Sequence, residues 1–283
     1  MARRLADRYG LGGGEADATA PNGPQLDWTP PAWNPTLDLI LSHRSVRRFL
    51  DRPLPDGVPQ TLAAAAQSAP SSSNLQTWSV LAVTDPERKA RLSRLAGDQA
   101  FIRQAPLLLV WLLDQHRLRY VGRAQNRPVE ALDYVESFLL GAVDTALAAQ
   151  NATVAAESLG LGAVYVGAIR NRPAEVAAEL DLPPHVVAVV GMAVGWPDPD
   201  AGLEVKPRLP QAAVLFHETY AWTDAQTAAV EAYNPRIRAF QQRQAMPQQD
   251  WTTQALTRTA GPASMAGRHV LREVLGGLGF ELR

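Results

Sequence analysis

Cysteine is absent from the 283 residues. That excludes disulfides, thiol nucleophiles and cysteine-ligated zinc or iron–sulfur centres. Lysine is nearly absent: of 27 basic residues only Lys89 and Lys206 are lysines, and every other cation is written as arginine. There is no excess of either charge, the formal net charge being −1, so neither nucleic acid nor a membrane surface is the expected partner. The five histidines stand at no metal-ligating spacing relative to acids, which disfavours a metal enzyme. The N-terminus lacks the apolar core of a secretory signal, so a cytoplasmic location is expected.

What is present is an ordinary globular composition, 46% apolar and 19% charged. Residues 1–35 are the exception. Gly12–Gly14 and Pro21, Pro24, Pro30, Pro31 and Pro35 cannot hold a helix or a central strand. This stretch is expected to be a flexible extension, with Trp28 and Trp33 docking on the body. Residues 36–283 then form the folded domain, whose part from 206 onward reads as an extended segment followed by helices.

Within that domain the first chemical signal is His43-Arg44-Ser45-Val46-Arg47-Arg48, a dense set of donors with no acid before Asp51. Guanidinium groups fork onto anion oxygens, and a hydroxyl adds a short neutral bond. Ser42 or Ser45 is also placed to cap a helix start, which would add the positive end of a dipole. A short apolar-periodic helix over 36–41 leads into this cluster. Helices are expected over 58–69, 86–95 and 173–180, and strands over 78–83, 106–113 and 186–194. The continuous apolar run 106–113 reads as a strand buried on both faces. Lys89 reads as part of an exposed helix start.

The long element is 132–159, free of proline and rich in alanine. Its apolar residues lie nearly all round, which marks burial. Glu136, Asp144, Gln150, Asn151 and Glu157 argue against a membrane span. A second subunit is the expected cover, making this helix the centre of a homodimer interface. The order of elements gives an α+β or α/β class.

Four pieces stand in fixed order: His43-Arg44-Ser45-Val46-Arg47, the loop Pro70-Ser71-Ser72-Ser73-Asn74-Leu75-Gln76, the segment Gly160–Ala168 after the long helix, and Lys206-Pro207-Arg208-Leu209-Pro210. This order resembles the flavin-dependent nitroreductase family, in particular its NADPH-preferring nitroreductase and flavin-reductase branch. The likeness runs from about residue 36 to the C-terminus. It implies a nitroreductase-like α+β fold, a central mixed sheet surrounded by helices, and an FMN-dependent homodimer. It also implies hydride transfer from NADPH or NADH through FMN to a small-molecule acceptor such as a nitroaromatic, a quinone or free flavin. A reductive dehalogenase or flavin-breakdown enzyme on the same fold, and a low-turnover FMN-binding module, remain open alternatives.

Carried over residue by residue, the resemblance implies that His43, Arg44, Ser45, Lys206 and Arg208 neutralise the FMN phosphate. Pro207 stiffens the backbone between two of those cations. Arg47 falls near flavin N1 and the C2 carbonyl, where a fixed positive charge favours the reduced form. Ser71, Ser72 and Ser73 serve the ribityl chain and ring edge, Gln99 falls at a flavin-contacting position, and Tyr165, Val166, Gly167 and Ala168 lie against the N5 edge. Arg243, in a loop, and Arg268 are expected at the NADPH 2′-phosphate. No side chain is expected as a catalytic acid or base. The chain departs from the family at Pro70, where a polar residue is usual, and at Ala168, where a second glycine is usual. The stretch Arg243-Gln244-Ala245-Met246-Pro247-Gln248-Gln249-Asp250 carries glutamines where further arginines are expected, which weakens the preference for NADPH.

Overall fold

A computed structural model describes Leu5, Arg8, Tyr9 and residues 32–283. The Gly/Pro-rich stretch and Trp28 lie outside the described residues. The chain divides into two compact units, one built from residues up to Arg44 together with Gly202–Ser264, the other from Ser45–Ala201 together with Met265–Arg283.

The second unit holds the sheet. Strands β1 (Trp78–Val83), β2 (Leu107–Asp114), β3 (Gly162–Val166) and β4 (Val186–Gly195) lie in the order β1-β2-β4-β3, each pair antiparallel. Among the described residues, parallel pairing enters as a single bridge from Ser45 to Ala163. Strand β2 is buried along nearly its whole length, as its unbroken apolar run requires. Leu107, Leu109 and Trp111 point to one face, where they meet Ala148, Ala149, Ala152 and Ala156 of helix Val135–Ser158 and Leu62 and Ala66 of helix Val58–Gln67. Leu108, Val110 and Leu112 point to the other, against Leu92, Ile102, Ile169 and Val176. The period of two in a strand thus supplies both cores from one segment.

The alanines of the long helix are there because the helix lies close on the sheet. At Gly141 a Cβ would stand 2.7 Å from Leu113 Cγ, so even alanine would force a shift. The opposite face of the same helix carries Val135, Leu139, Val143 and Leu147, four residues apart and all exposed. Among the described residues the helix is therefore covered on one side, and the exposed side is apolar.

The first unit is helical. Helix Pro35–Leu41 starts under an Asn34 cap that accepts from Leu37 N at 3.0 Å, with proline at the first position where its missing N–H costs nothing. Helices Asp224–Glu231, Tyr233–Arg243 and Trp251–Thr259 follow the extended stretch after Gly202. Tyr233, Ile237 and Phe240 form their buried core, with Leu209 and Trp251 packed on it. In the second unit, Leu275 and Phe280 of the C-terminal tail join Leu113 and Val187 in a further core cluster.

Among the described residues, no helix is long and apolar enough to cross a membrane. Two local expectations are corrected. Lys89 is buried, and its Nζ donates to Ala105 O at 2.6 Å, tying helix Pro86–Leu95 to the end of helix Ala100–Gln104. Ser42 and Ser45 cap no helix start: Ser42 ends helix Pro35–Leu41, its hydroxyl donating to Leu39 O at 2.8 Å, while Ser45 sits in extended backbone. The basic cluster thus follows a helix C-terminus, where cations complement the outward carbonyls.

Candidate functional site

In the first unit, the turn at His43 and the segment Lys206–Arg208 are joined by a side chain from the N-terminal extension. Arg8 is 5% exposed. Its Nη2 donates to Leu41 O at 3.2 Å and His43 O at 2.7 Å, and its Nη1 to Lys206 O at 3.0 Å. The backbone N of Arg208 donates in return to Arg8 O at 2.9 Å. Tyr233 Oη donates to Pro207 O at 2.8 Å, fixing the middle of the same segment. Burial raises the Tyr233 phenol above its ordinary pKa against the opposing pull of Arg208 and Arg8, so that hydroxyl stays a donor.

Lys206 and Arg208 open onto a cavity of about 380 Å³ walled also by Tyr233, Phe240, Trp251 and Arg258. The Lys206 ammonium lies 5.7 Å from the Phe240 ring centroid, and Trp251 meets Tyr233 edge-on at 6.1 Å. Three cations face this space, and among the described residues no carboxylate lines it. Many arginines of this chain are paired: Arg48 with Asp198, Arg91 with Glu179, Arg119 with Asp133 and Arg238 with Asp250. Among the described residues no acid pairs with Arg44, Arg208 or Arg258. Arg208 and Arg258, both lining this cavity, keep charge that suits an incoming anion, since gathering like charges is unfavourable without one.

Arg243 is not in a loop, which corrects the expectation. It closes helix Tyr233–Arg243, and its Nε lies 2.9 Å from Glu204 Oε2.

In the second unit, the strand-like stretch after Ser45 alternates. Val46 is buried against the bare backbone of Gly162, where a Cβ would stand 2.5 Å from Val46 Cγ2. Arg47 turns out to solvent with no acid paired to it among the described residues. The serine loop is held by a residue that sequence reasoning weighed only against a membrane span. Asp144, buried on the long helix, accepts from Ser71 Oγ at 2.7 Å, Ser72 N at 3.2 Å, Thr77 N at 3.2 Å and Thr77 Oγ1 at 3.0 Å. Ser73, Asn74 and Gln76 all take positive φ, between 48° and 53°. The Ser71 proton is committed to Asp144, while the Ser72 and Ser73 hydroxyls have no protein partner among the described residues.

Gln99 precedes helix Ala100–Gln104 and folds back on its own turn, its Nε2 donating to Ala96 O at 3.0 Å. Tyr165, at the end of β3, is 37% exposed, and its hydroxyl shares a 2.8 Å hydrogen bond with Thr153 Oγ1. Val166 is buried, and Gly167 and Ala168 open the following turn. Gly167 brings a third expected residue into the same place: a Cβ there would lie 3.7 Å from Arg170 Nη2 and 3.9 Å from Arg268 Nη1. Burial, and after it the neighbouring Arg268, pull the Arg170 guanidinium below its ordinary pKa. Arg170 answers by donating to Val189 O.

The sequence and fold were compared with known proteins. The nitroreductase family model matches residues 40–196, and the model of that family's C-terminal domain matches 206–283. A relative named NADPH-flavin oxidoreductase, from Vibrio harveyi, is 40% identical over 73% of this chain and 82% of its own length. An FMN reductase (NADPH) of Bacillus subtilis is 41% identical over 66% of this chain and 75% of its own. The solved structure of a hypothetical oxidoreductase from Bacillus subtilis superposes with a TM-score of 0.83 at 35% identity, covering 89% of this chain and all of that one.

Proposed function

The chain belongs to the nitroreductase family, and from that premise we propose that it is an FMN-dependent NAD(P)H oxidoreductase acting on free flavin, nitroaromatics or quinones. The observation that carries this reading is the cavity onto which Lys206, Arg208 and Arg258 open, with no carboxylate among its described lining residues. Its donor set fits a phosphate, and its aromatic walls suit a ligand with an apolar body and an anionic end. When bound, FMN supplies the two-electron chemistry, accepting hydride from NAD(P)H and passing it to the acceptor.

The protein's share is binding, orientation and charge. We assign the phosphate to His43, Arg44, Ser45, Lys206 and Arg208. Arg47, exposed and without an acidic partner, provides a fixed positive charge for the pyrimidine edge of the ring, where reduction accumulates negative charge. Ser72 and Ser73 offer unpartnered hydroxyls to the ribityl chain, while Ser71 with Asp144 holds the loop that presents them. Gln99 and the segment Tyr165–Ala168 complete the flavin contacts. Arg268 and Arg243 serve the reductant's 2′-phosphate, Arg243 by exchanging its exposed Glu204 partner for the ligand. A surface ion pair of this kind is worth only about 0–1 kcal/mol, so the exchange costs little.

The functional form in this reading is a cytoplasmic homodimer, with a second copy covering Val135, Leu139, Val143 and Leu147. Residues 36–283 constitute the catalytic domain. Steady-state oxidation of NADPH and NADH, with and without a nitroaromatic, a quinone and free FMN, tests the assignment. Turnover that rises with acceptor supports it, and bound flavin with no acceptor-dependent turnover reduces the protein to a flavin carrier.

A further inference from the structure

We propose that Arg8, in the N-terminal extension that precedes both family-matched regions, is a positioning residue for the phosphate cations. The proposal rests on the reading above, that Lys206 and Arg208 receive the FMN phosphate. The family models begin at residue 40, so nothing in them assigns a role to Arg8. The first thirty-five residues read as an extension with too much glycine and proline to pack, yet Arg8 and Leu5 are among the buried residues.

The geometry is specific. One guanidinium donates to three carbonyls, two on the turn leaving helix Pro35–Leu41 and one on Lys206. Arg208 N closes the ring by donating to Arg8 O, and Arg236 Nη1 donates to the carbonyl of the next residue, Tyr9. Arg8 therefore binds the backbone of both segments from which the phosphate cations project. A planar fork with several fixed donors can do this, and a lysine ammonium cannot hold both sides at once. With its Nη1 and Nη2 donating to carbonyl oxygens, it brings the cation-bearing segments together.

The alternative is that the extension merely stabilises the fold. The segment Lys206–Arg208 has no helix or strand to hold it and relies on Arg8, on Tyr233 and on its own turn. Without Arg8, ordering that segment becomes part of ligand binding. Fixing roughly two residues then weakens the ligand by about ten- to a hundredfold. The loss falls on the phosphate alone, because riboflavin, which has the ring and ribityl chain without the phosphate, gains nothing from those cations.

The test is fluorescence titration of apoprotein with FMN and with riboflavin, for the full chain, Arg8→Ala, Arg8→Lys, Arg208→Ala and a variant lacking residues 1–9. The proposal predicts that Arg8→Ala and the truncation lose about ten- to a hundredfold in FMN affinity and keep riboflavin affinity, with Arg8→Lys only partly restored. A parallel loss of both flavins, accompanied by a lowered melting temperature, makes the extension a stabiliser only and overturns it. So does an unchanged FMN affinity in Arg8→Ala while Arg208→Ala binds weakly. If Arg208→Ala also binds FMN normally, the phosphate assignment itself falls, and that failure is distinct from this one.

Discussion

Asp144→Asn should be among the most damaging isosteric changes in the second unit. Asp144 is 2% exposed, and its Oδ2 accepts three hydrogen bonds, from Ser71 Oγ, Thr77 N and Thr77 Oγ1, while Oδ1 accepts one from Ser72 N. An asparagine keeps one acceptor oxygen. If that oxygen takes the Oδ2 place, three charge-assisted bonds become neutral ones, and the new amide points its own donors at Ser72 N–H. Hydrogen bonds to a charged group are worth about 1.5–3 kcal/mol and neutral ones about 0.5–1.5, and a buried donor left unpaired costs about 1–3 more. Allowing for rotation of the two hydroxyls, a total loss of roughly 2–4 kcal/mol follows, and roughly 3–5 for Asp144→Ala, which strands every donor. Urea unfolding reads the stability, and hydrogen exchange at Ser72 and Thr77 reads the loop. Both amides should lose protection locally, and FMN should bind more weakly because the loop that presents Ser72 and Ser73 is loosened. A midpoint shift equivalent to under about 0.5 kcal/mol, with both amides still protected, would refute the reasoning.

Other outcomes follow from the same geometry. Arg208→Ala should cost FMN affinity about ten- to a hundredfold, whereas Arg243→Ala should leave FMN bound and raise KM for NADPH but not NADH; equal effects of Arg243→Ala on both reductants would remove it from the 2′-phosphate. Leu139→Arg with Val143→Arg should convert a dimer to monomer by light scattering at micromolar concentration, since both side chains project from the exposed apolar stripe of the long helix. Burial holds the Lys89 ammonium below its ordinary value of 10.5. The unfolded chain therefore binds that proton more tightly than the fold does, and the destabilisation is full below the folded value and fades as pH rises towards 10.5. Lys89→Met should flatten that part of the stability–pH curve.

The architecture was legible where one physical signal dominated. Strand Trp78–Val83 and helix Pro86–Leu95 fall where alternation and a proline start place them. The run 106–113 became a central strand because no polar residue interrupts it. Helix His116–Ala124 was not legible: arginines and a glycine blur its periodicity, and its contacts are with distant carbonyls, such as Arg117 Nη1 to Gln76 O. The burial of Lys89 was invisible for a related reason, since its partner is the backbone of Ala105 and no side-chain pattern announces a carbonyl. The site shows the same division. The residue types suited to an anion could be picked from the sequence, but their organisers, Arg8 and Asp144, act over separations of 198 and 73 residues. A chain position says nothing of such contacts until the fold brings them together.

The central claim is that this chain carries FMN through its basic segments. Its most direct test is to prepare apoprotein, add FMN, and follow flavin fluorescence and bound phosphate stoichiometry. The account predicts saturable quenching with one flavin per chain, and markedly weaker binding of riboflavin than of FMN. Unquenched FMN, or equal affinity for FMN and riboflavin, would contradict it.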